Sequence, residues 1–231
     1  MRILHTSDWH LGKTLKGFDR EDEQFAQVEH VCQLTEEHGV DVLLVAGDIF
    51  DTRVRQLPTL TKRLADILKP RLEAGLHVVL LPGNHDDREH FHMMYALLNL
   101  DEQVQTRLHV VRTQMVFEIN GVLFGMVPYP NRDVLETHYA EAAGGSQRNV
   151  SLSTRFADVV RYVRGQLERR AQPAVFATHV VVAGVTTPSE HSAQSSWTPQ
   201  AMAQKAQLNR PQCAVYASDW DGWRCNLLSS R

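Results

Sequence analysis

The sequence predicts an α/β fold, a layered β-sandwich flanked by helices. Three observations predict it. Apolar runs of strand length alternate with segments of helical periodicity through the first hundred residues, an Asn-Gly pair later joins two strand-like runs, and polar residues collect immediately after strand-like runs. With 231 residues, 43% hydrophobic and 22% charged, the chain can bury one full core.

The elements follow in order. Ile3 and Leu4 open a short strand. From Glu21 to Glu37 the apolar residues Phe25, Val28, Val31, Cys32 and Leu34 recur at helical spacing. Asp41 to Ala46 (DVLLVA) reads as a buried strand. Leu60 to Lys69 is helical and is expected to stop at Pro70, which lacks an N–H and clashes with a preceding carbonyl. Leu76 to Leu81 is strand and Phe91 to Leu100 an apolar helix, completing β-α-β-α-β. The runs Leu108 to Val111, Val116 to Ile119 and Val122 to Val127 follow, the last two joined by Asn120-Gly121, a strong hairpin signal. Ala142 to Gln147 is a loop, Ser153 to Arg170 an amphipathic helix, and Ala174 to Val182 a strand carrying Thr178 and His179 near its end.

Composition narrows the function classes. A net charge of -3 gives no whole-chain signal for nucleic acid, although a local basic surface is compatible with it. Cys32, Cys213 and Cys225 are too few and scattered for a disulfide framework, and no CxxC pair suggests structural zinc. No apolar run reaches membrane-spanning length and no signal-peptide core follows Met1, so a soluble cytoplasmic protein without membrane attachment is expected.

Three motifs carry the chemistry: DWH at Asp8 to His10, GDIFD at Gly47 to Asp51, and GNHDD at Gly83 to Asp87. They supply Asp8, His10, Asp48, Asn84 and His85, a ligand set for two metal ions. In α/β sheets ligands gather beyond the carboxyl ends of strands, and these residues, with His179, follow four such ends. Any one alone would ordinarily be a cap, a turn former or a surface residue; their joint occurrence reverses that weighting. Gly47 and Gly83 stand where the backbone must turn sharply to aim the next side chain. Two divalent ions about 3.5–4 Å apart can supply a hydroxide nucleophile and neutralise charge that develops in a hydrolytic transition state. A mixed oxygen and imidazole set suits manganese, iron or zinc better than magnesium alone.

The order D-x-H, GD-x-x-D, GNHD and a strand-terminal His resembles the calcineurin-like metallophosphoesterases. Within them, HTSDWHLGK, VAGDIFDT and LPGNHD are similar to the SbcD type, the nuclease subunits of bacterial SbcC-SbcD complexes that process DNA double-strand breaks. The likeness spans roughly the first 190 residues. It implies the metallophosphoesterase fold and a DNA exonuclease and endonuclease acting in repair and recombination. The implied cofactors are two divalent ions, manganese above all, and the implied partners are DNA, an SbcC-type ATPase and a second copy of the chain. It also implies that Asp48 bridges the ions, with Asp8 and His10 on one and Asn84 and His179 on the other. His85 would face the substrate as the catalytic residue, stabilising the phosphate or protonating the leaving 3′ oxygen. Asp51 and Asp86 would orient the ligands.

The chain also departs from that family. Its members follow the strand-terminal His with a G-H-x-H motif, which is missing here; the last histidine is His191, and after Arg210 the text becomes PQCAVYASDWDGWRCNLLSSR. We therefore expect a C-terminally incomplete nuclease: residues 1–210 as the metallophosphoesterase domain, and 211–231 as an atypical tail, unstructured or frame-disrupted. Recruitment of Asp219 and Asp221, or of His191, as replacement ligands are the other readings. Two further functions are weighed: a catalytically impaired DNA- or SbcC-binding module, and a phosphomonoesterase or cyclic-nucleotide phosphodiesterase of the same fold, which a narrow pocket would favour.

Surface features complete the expectations. Met93, Met94, Tyr95, Leu97 and Leu98, together with Leu60, Leu64 and Leu68, offer a symmetric four-helix contact, hence a homodimer through helices near 60–68 and 91–100. Lys13, Lys16 and Arg53, with Arg20 and Arg55, flank the first two motifs where they could contact DNA phosphates without sequence preference. Arg161, Arg164, Arg169 and Arg170 form a helix's solvent face.

Overall fold

The run VLLVA forms β2 (Val42–Ala46), and every one of its residues is buried, the pattern of a central parallel strand. The computed structural model describes residues 1–51, 56–98, 106–130, 135, 151–180, 213–217 and 224–229. The chain divides into two units, Met1–Arg112 with Asp221–Arg231, and Thr113–Trp220.

In the first unit β2 lies inside a five-stranded sheet with β1 (Arg2–Ser7), β3 (His77–Leu81), β4 (Leu108–Val110) and β9 (Arg224–Ser229), in the order β4-β3-β2-β1-β9. Strands β1 to β4 run parallel, while β9 pairs antiparallel with β1 from Arg2↔Ser229 to Ser7↔Arg224. Helices α1 (Glu21–Glu37), α2 (Leu57–Glu73) and α3 (Arg88–Leu98) make the crossovers that parallel strands require. Alternate strand residues Leu4, Leu43, Val45, Val78 and Leu80 share one core with Phe25, Val28, Val31, Leu60, Leu64, Leu68 and Phe91 from the helices. Burying Phe25 alone contributes about 1.5–3 kcal/mol, and Arg63 lies over its ring at 4.3 Å. Arg63 also pairs with Glu21 and Asp22, and Arg71 with Glu29 and Glu36, tying α2 to α1.

Helix α2 does not stop at Pro70; it runs one turn further, to Glu73. Burial of Ile67, Leu68 and Leu72 on one face outweighs the lost backbone bond, and the Arg71 guanidinium donates to the Ile67 carbonyl at 3.0 Å. Helix α3 begins three residues before Phe91 because Asp87 caps it, its Oδ1 accepting the His90 N–H at 3.0 Å.

The second unit holds a four-stranded sheet of order β5-β6-β7-β8, from β5 (Met115–Ile119), β6 (Val122–Val127), β7 (Ala174–His179) and β8 (Cys213–Ala217). Asn120 and Gly121 both take left-handed backbone (φ 47° and 81°), the turn that closes the β5–β6 hairpin. Strands β7 and β8 then add in parallel. Helix α4 (Leu152–Glu168) starts at Ser151, whose hydroxyl accepts the Thr154 N–H, and its Phe156, Val159, Val163 and Leu167 share a core with Leu123 and Phe176. Gly125 permits that approach: a Cβ there would lie 2.7 Å from Leu167 and 2.9 Å from Val163. The α/β class read from the sequence is the class observed. Among the described residues, no helix is long and apolar enough to cross a membrane.

Candidate metal centre

Strands β1, β2 and β3 end level with one another: Thr6 pairs with Val45 and Ala46 with Leu81. The three motifs therefore leave the sheet side by side at the carboxyl ends of its strands, where an α/β sheet collects ligands. The first two continue the pairing beyond the sheet. The N–H groups of Asp8, His10 and Leu11 donate to the carbonyls of Gly47, Asp48 and Ile49 at 3.0, 2.8 and 2.9 Å, and the Asp51 N–H returns to Leu11 at 3.1 Å.

Asp8, His10 and Asp48 all adopt left-handed backbone, with φ of 59°, 44° and 53°. Such conformations cost on the order of 1–3 kcal/mol each for a non-glycine residue and persist only where surrounding bonds over-determine them. The cross-loop ladder supplies those bonds. Gly83 presses the third loop against the second: a Cβ there would lie 2.1 Å from Asp48 Oδ1 and 2.5 Å from Asp48 N. Asp86 locks the same contact, its carboxylate accepting N–H bonds from Ile49 (3.1 Å), Phe50 (2.8 Å) and Gly83 (2.8 Å).

The side chains converge on Asp48, which has no exposed surface. Its Oδ1 accepts the His85 N–H at 2.9 Å, and its Oδ2 lies 3.7 Å from His10 Nε2. The His10 and His85 rings meet edge to face with centroids 4.8 Å apart. Ligand atoms of His10, Asp48 and His85 all fall within 4.8 Å of one another, and oxygens of Asp8 and Asp48 lie within the same distance. The Ser7 hydroxyl donates to Asp8 Oδ2.

Burial sets the charge states. It pushes the His10 imidazole down to about 4 against the opposing pull of Asp48, with Lys13 adding to the lowering, so the ring is neutral at pH 7. Burial, then the charge of Asp48, pushes the Asp86 carboxyl up to about 7, opposed by its three N–H bonds. A neutral imidazole is the form that ligates a cation. His10 Nδ1 is buried and has no hydrogen-bond partner among the described residues. With a buried carboxylate and a second imidazole beside it, this donor set fits a divalent transition metal.

The remaining expected site residues are placed as follows. Asn84 is exposed on the third loop and His85 half-buried. Asp51 is buried and close enough to oppose the lowering of His10. His179 ends β7 in the second unit, buried, its ring 6.5 Å from that of Tyr129. Lys13 donates its N–H to the His10 carbonyl, and Lys16, exposed with φ 51°, sits in the two-residue turn between Leu15 and Phe18. Arg53, His191, Asp219 and Asp221 lie outside the described residues. One contributor has no motif around it: Gln24, buried on α1, binds the loop that follows His10. A polar residue in the stripe of Val28, Val31 and Thr35 is the signal that marks it.

The sequence profile of the calcineurin-like phosphoesterases matches residues 1–217. Among solved structures, the chain is similar to a dimetal phosphatase from Danio rerio, at 12% identity over 78% of this chain and 70% of that one, with a TM-score of 0.43. It is also similar to the nuclease MPE of Pseudomonas putida, at 16% identity over 80% and 66% of the two chains, TM-score 0.35. The phosphoesterase YfcE of E. coli follows at 15% identity, 55% and 57% coverage, and a TM-score of 0.28.

Proposed function

Since this chain belongs to the calcineurin-like phosphoesterase family, we propose that it hydrolyses the phosphodiester bonds of DNA as a metal-dependent nuclease of the SbcD type. The observation that carries the reading is the fully buried carboxylate of Asp48 with ligand atoms of His10 and His85, and an oxygen of Asp8, each within 4.8 Å of it. The three motifs that build this arrangement are also the ones in which the chain resembles the SbcD type.

Two divalent ions, which we take to be manganese, would generate a hydroxide nucleophile and neutralise the charge that develops on the phosphorus. The chain's own residues do the rest. Asp48 would be the carboxylate shared by the ions, Asp8 and His10 would hold one, and Asn84 with His179 would hold the other. His85, half-buried on the third loop, would contact the scissile phosphate and give a proton to the departing 3′ oxygen. Asp86 and Asp51 keep the loops registered. Lys13 and Lys16 lie three and six residues beyond His10, where they can meet a phosphate backbone without reading bases. An SbcC-type ATPase and a second copy of this chain are the proposed partners.

The test is hydrolysis by the purified chain, in manganese, of linear double-stranded DNA, 4-nitrophenyl phosphate and a cyclic nucleotide. Preferred cleavage of DNA supports the nuclease reading. Hydrolysis of the monoester or the cyclic nucleotide with DNA left intact would replace it with a phosphatase or cyclic phosphodiesterase.

A further inference from the structure

Gln24 lies in the first turn of α1, in the buried stripe of that helix. Its amide is spent on one short loop: Oε1 accepts the Gly12 N–H at 2.9 Å, and Nε2 donates to the carbonyls of His10 and Lys13, both at 3.1 Å. A glutamine offers two N–H donors and one carbonyl acceptor, and all three functions are used here. Glutamate would lose both donors, asparagine would fall short by a carbon, and an apolar residue would remove the acceptor from the Gly12 N–H and a donor from each of the His10 and Lys13 carbonyls.

The loop in question opens with His10, whose left-handed φ of 44° aims its ring at Asp48. The ladder to the second loop engages the N–H of His10 and not its carbonyl. The carbonyl side is held by Gln24 and by the N–H of Lys13. Helix α1 itself needs no amide at this position. Phe25, Val28 and Val31 anchor it in the core, and Arg63 and Arg71 tie it to α2.

We propose that Gln24 is a positioning residue for the metal centre, clamping residues 10–13 so that His10 keeps the backbone that presents its imidazole to Asp48. This rests on the metal-centre reading above. It adds a helix-borne residue outside all three motifs to the machinery that sets metal affinity.

The experiment compares wild type, Gln24→Met and Thr35→Val by calorimetric titration with manganese and by the visible absorption of the cobalt-loaded proteins. Thr35 is the matched control: it is buried on the same helix, and among the described residues its hydroxyl donates to the nearby Cys32 carbonyl. The expected result is a manganese affinity about 10–100-fold weaker in Gln24→Met, as for other residues that orient ligands. The cobalt spectrum should change with it, and Thr35→Val should leave both readouts as in wild type. Should Gln24→Met not fold, Gln24→Glu, which keeps the acceptor and loses both donors, carries the same expectation. An unchanged affinity and spectrum in the Gln24 variant, or an equal loss in Thr35→Val, would overturn the clamp. Failure of the wild type to bind manganese would instead bring down the metal-centre reading, and the clamp with it.

Discussion

A Cβ on Gly83 would sit 2.1 Å from Asp48 Oδ1. That separation is far inside van der Waals contact, and the obstructing atoms are a buried carboxylate and a backbone nitrogen, which cannot swing aside. Gly83→Ala must therefore push the third loop off the second. The expected outcome is a loss of roughly 1–3 kcal/mol of stability, the range for overpacking, together with a manganese affinity at least tenfold weaker. Thermal unfolding and calorimetric titration check the two parts.

Asp48 is the side chain on which Asp8, His10 and His85 all converge. Asp48→Ala removes the carboxylate shared by both proposed ions, so binding of both should vanish in the calorimeter while the chain remains folded. Two ions retained in that variant would remove Asp48 from the bridging position.

His85 stands within ligand reach of His10 and Asp48, yet it is half-buried where Asp48 is fully enclosed. On the proposed role of His85 as the group that faces substrate, its removal should leave metal stoichiometry intact and lower turnover by about 10²–10⁴-fold, the usual contribution of a positioned acid or base. Metal titration and single-turnover DNA cleavage on the same His85→Ala sample separate the roles. Parallel loss of both would make His85 a ligand.

Acid should destabilise the protein through histidines away from the centre as well. Burial, then the neighbouring His77, pushes the His109 imidazole down from 6.5 to about 4, and its Nε2 lies 3.3 Å from His77 Nδ1. Between those values the unfolded chain binds a proton that the folded chain does not. Stability is thus fully present above pH 6.5, falls as pH drops toward 4, and stops falling below. His5, also lowered to about 4 by burial, acts in the same direction. His109→Gln should flatten the decline by roughly 1–3 kcal/mol between pH 7 and 4, leaving the His5 part in place. Urea unfolding at a series of pH values measures the slope.

Much of this was legible in the residues because strands and motifs are local. VLLVA reads as a buried strand wherever it stands, Asn120-Gly121 closes a hairpin by its own backbone preference, and Gly47 and Gly83 mark sharp turns beside polar residues. What escaped is set by tertiary contacts. Pro70 stays helical because Ile67, Leu68 and Leu72 are buried around it. The pairing of β9 with β1 joins residues from opposite ends of the chain, and no periodicity within either strand encodes it. The left-handed backbone of Asp8, His10 and Asp48 is imposed by a ladder between loops, and Gln24 matters only because α1 passes beside residues 10–13. At the centre itself, residue types could be read from the motifs, whereas the clamp that aims them could not.

The most direct test of the metal centre is anomalous diffraction at the manganese edge from crystals grown with manganese. The arrangement described here predicts a peak within coordination distance of the Asp48 carboxylate and the His10 imidazole. An empty position there, with manganese instead at another histidine pair such as His77 and His109, would contradict it.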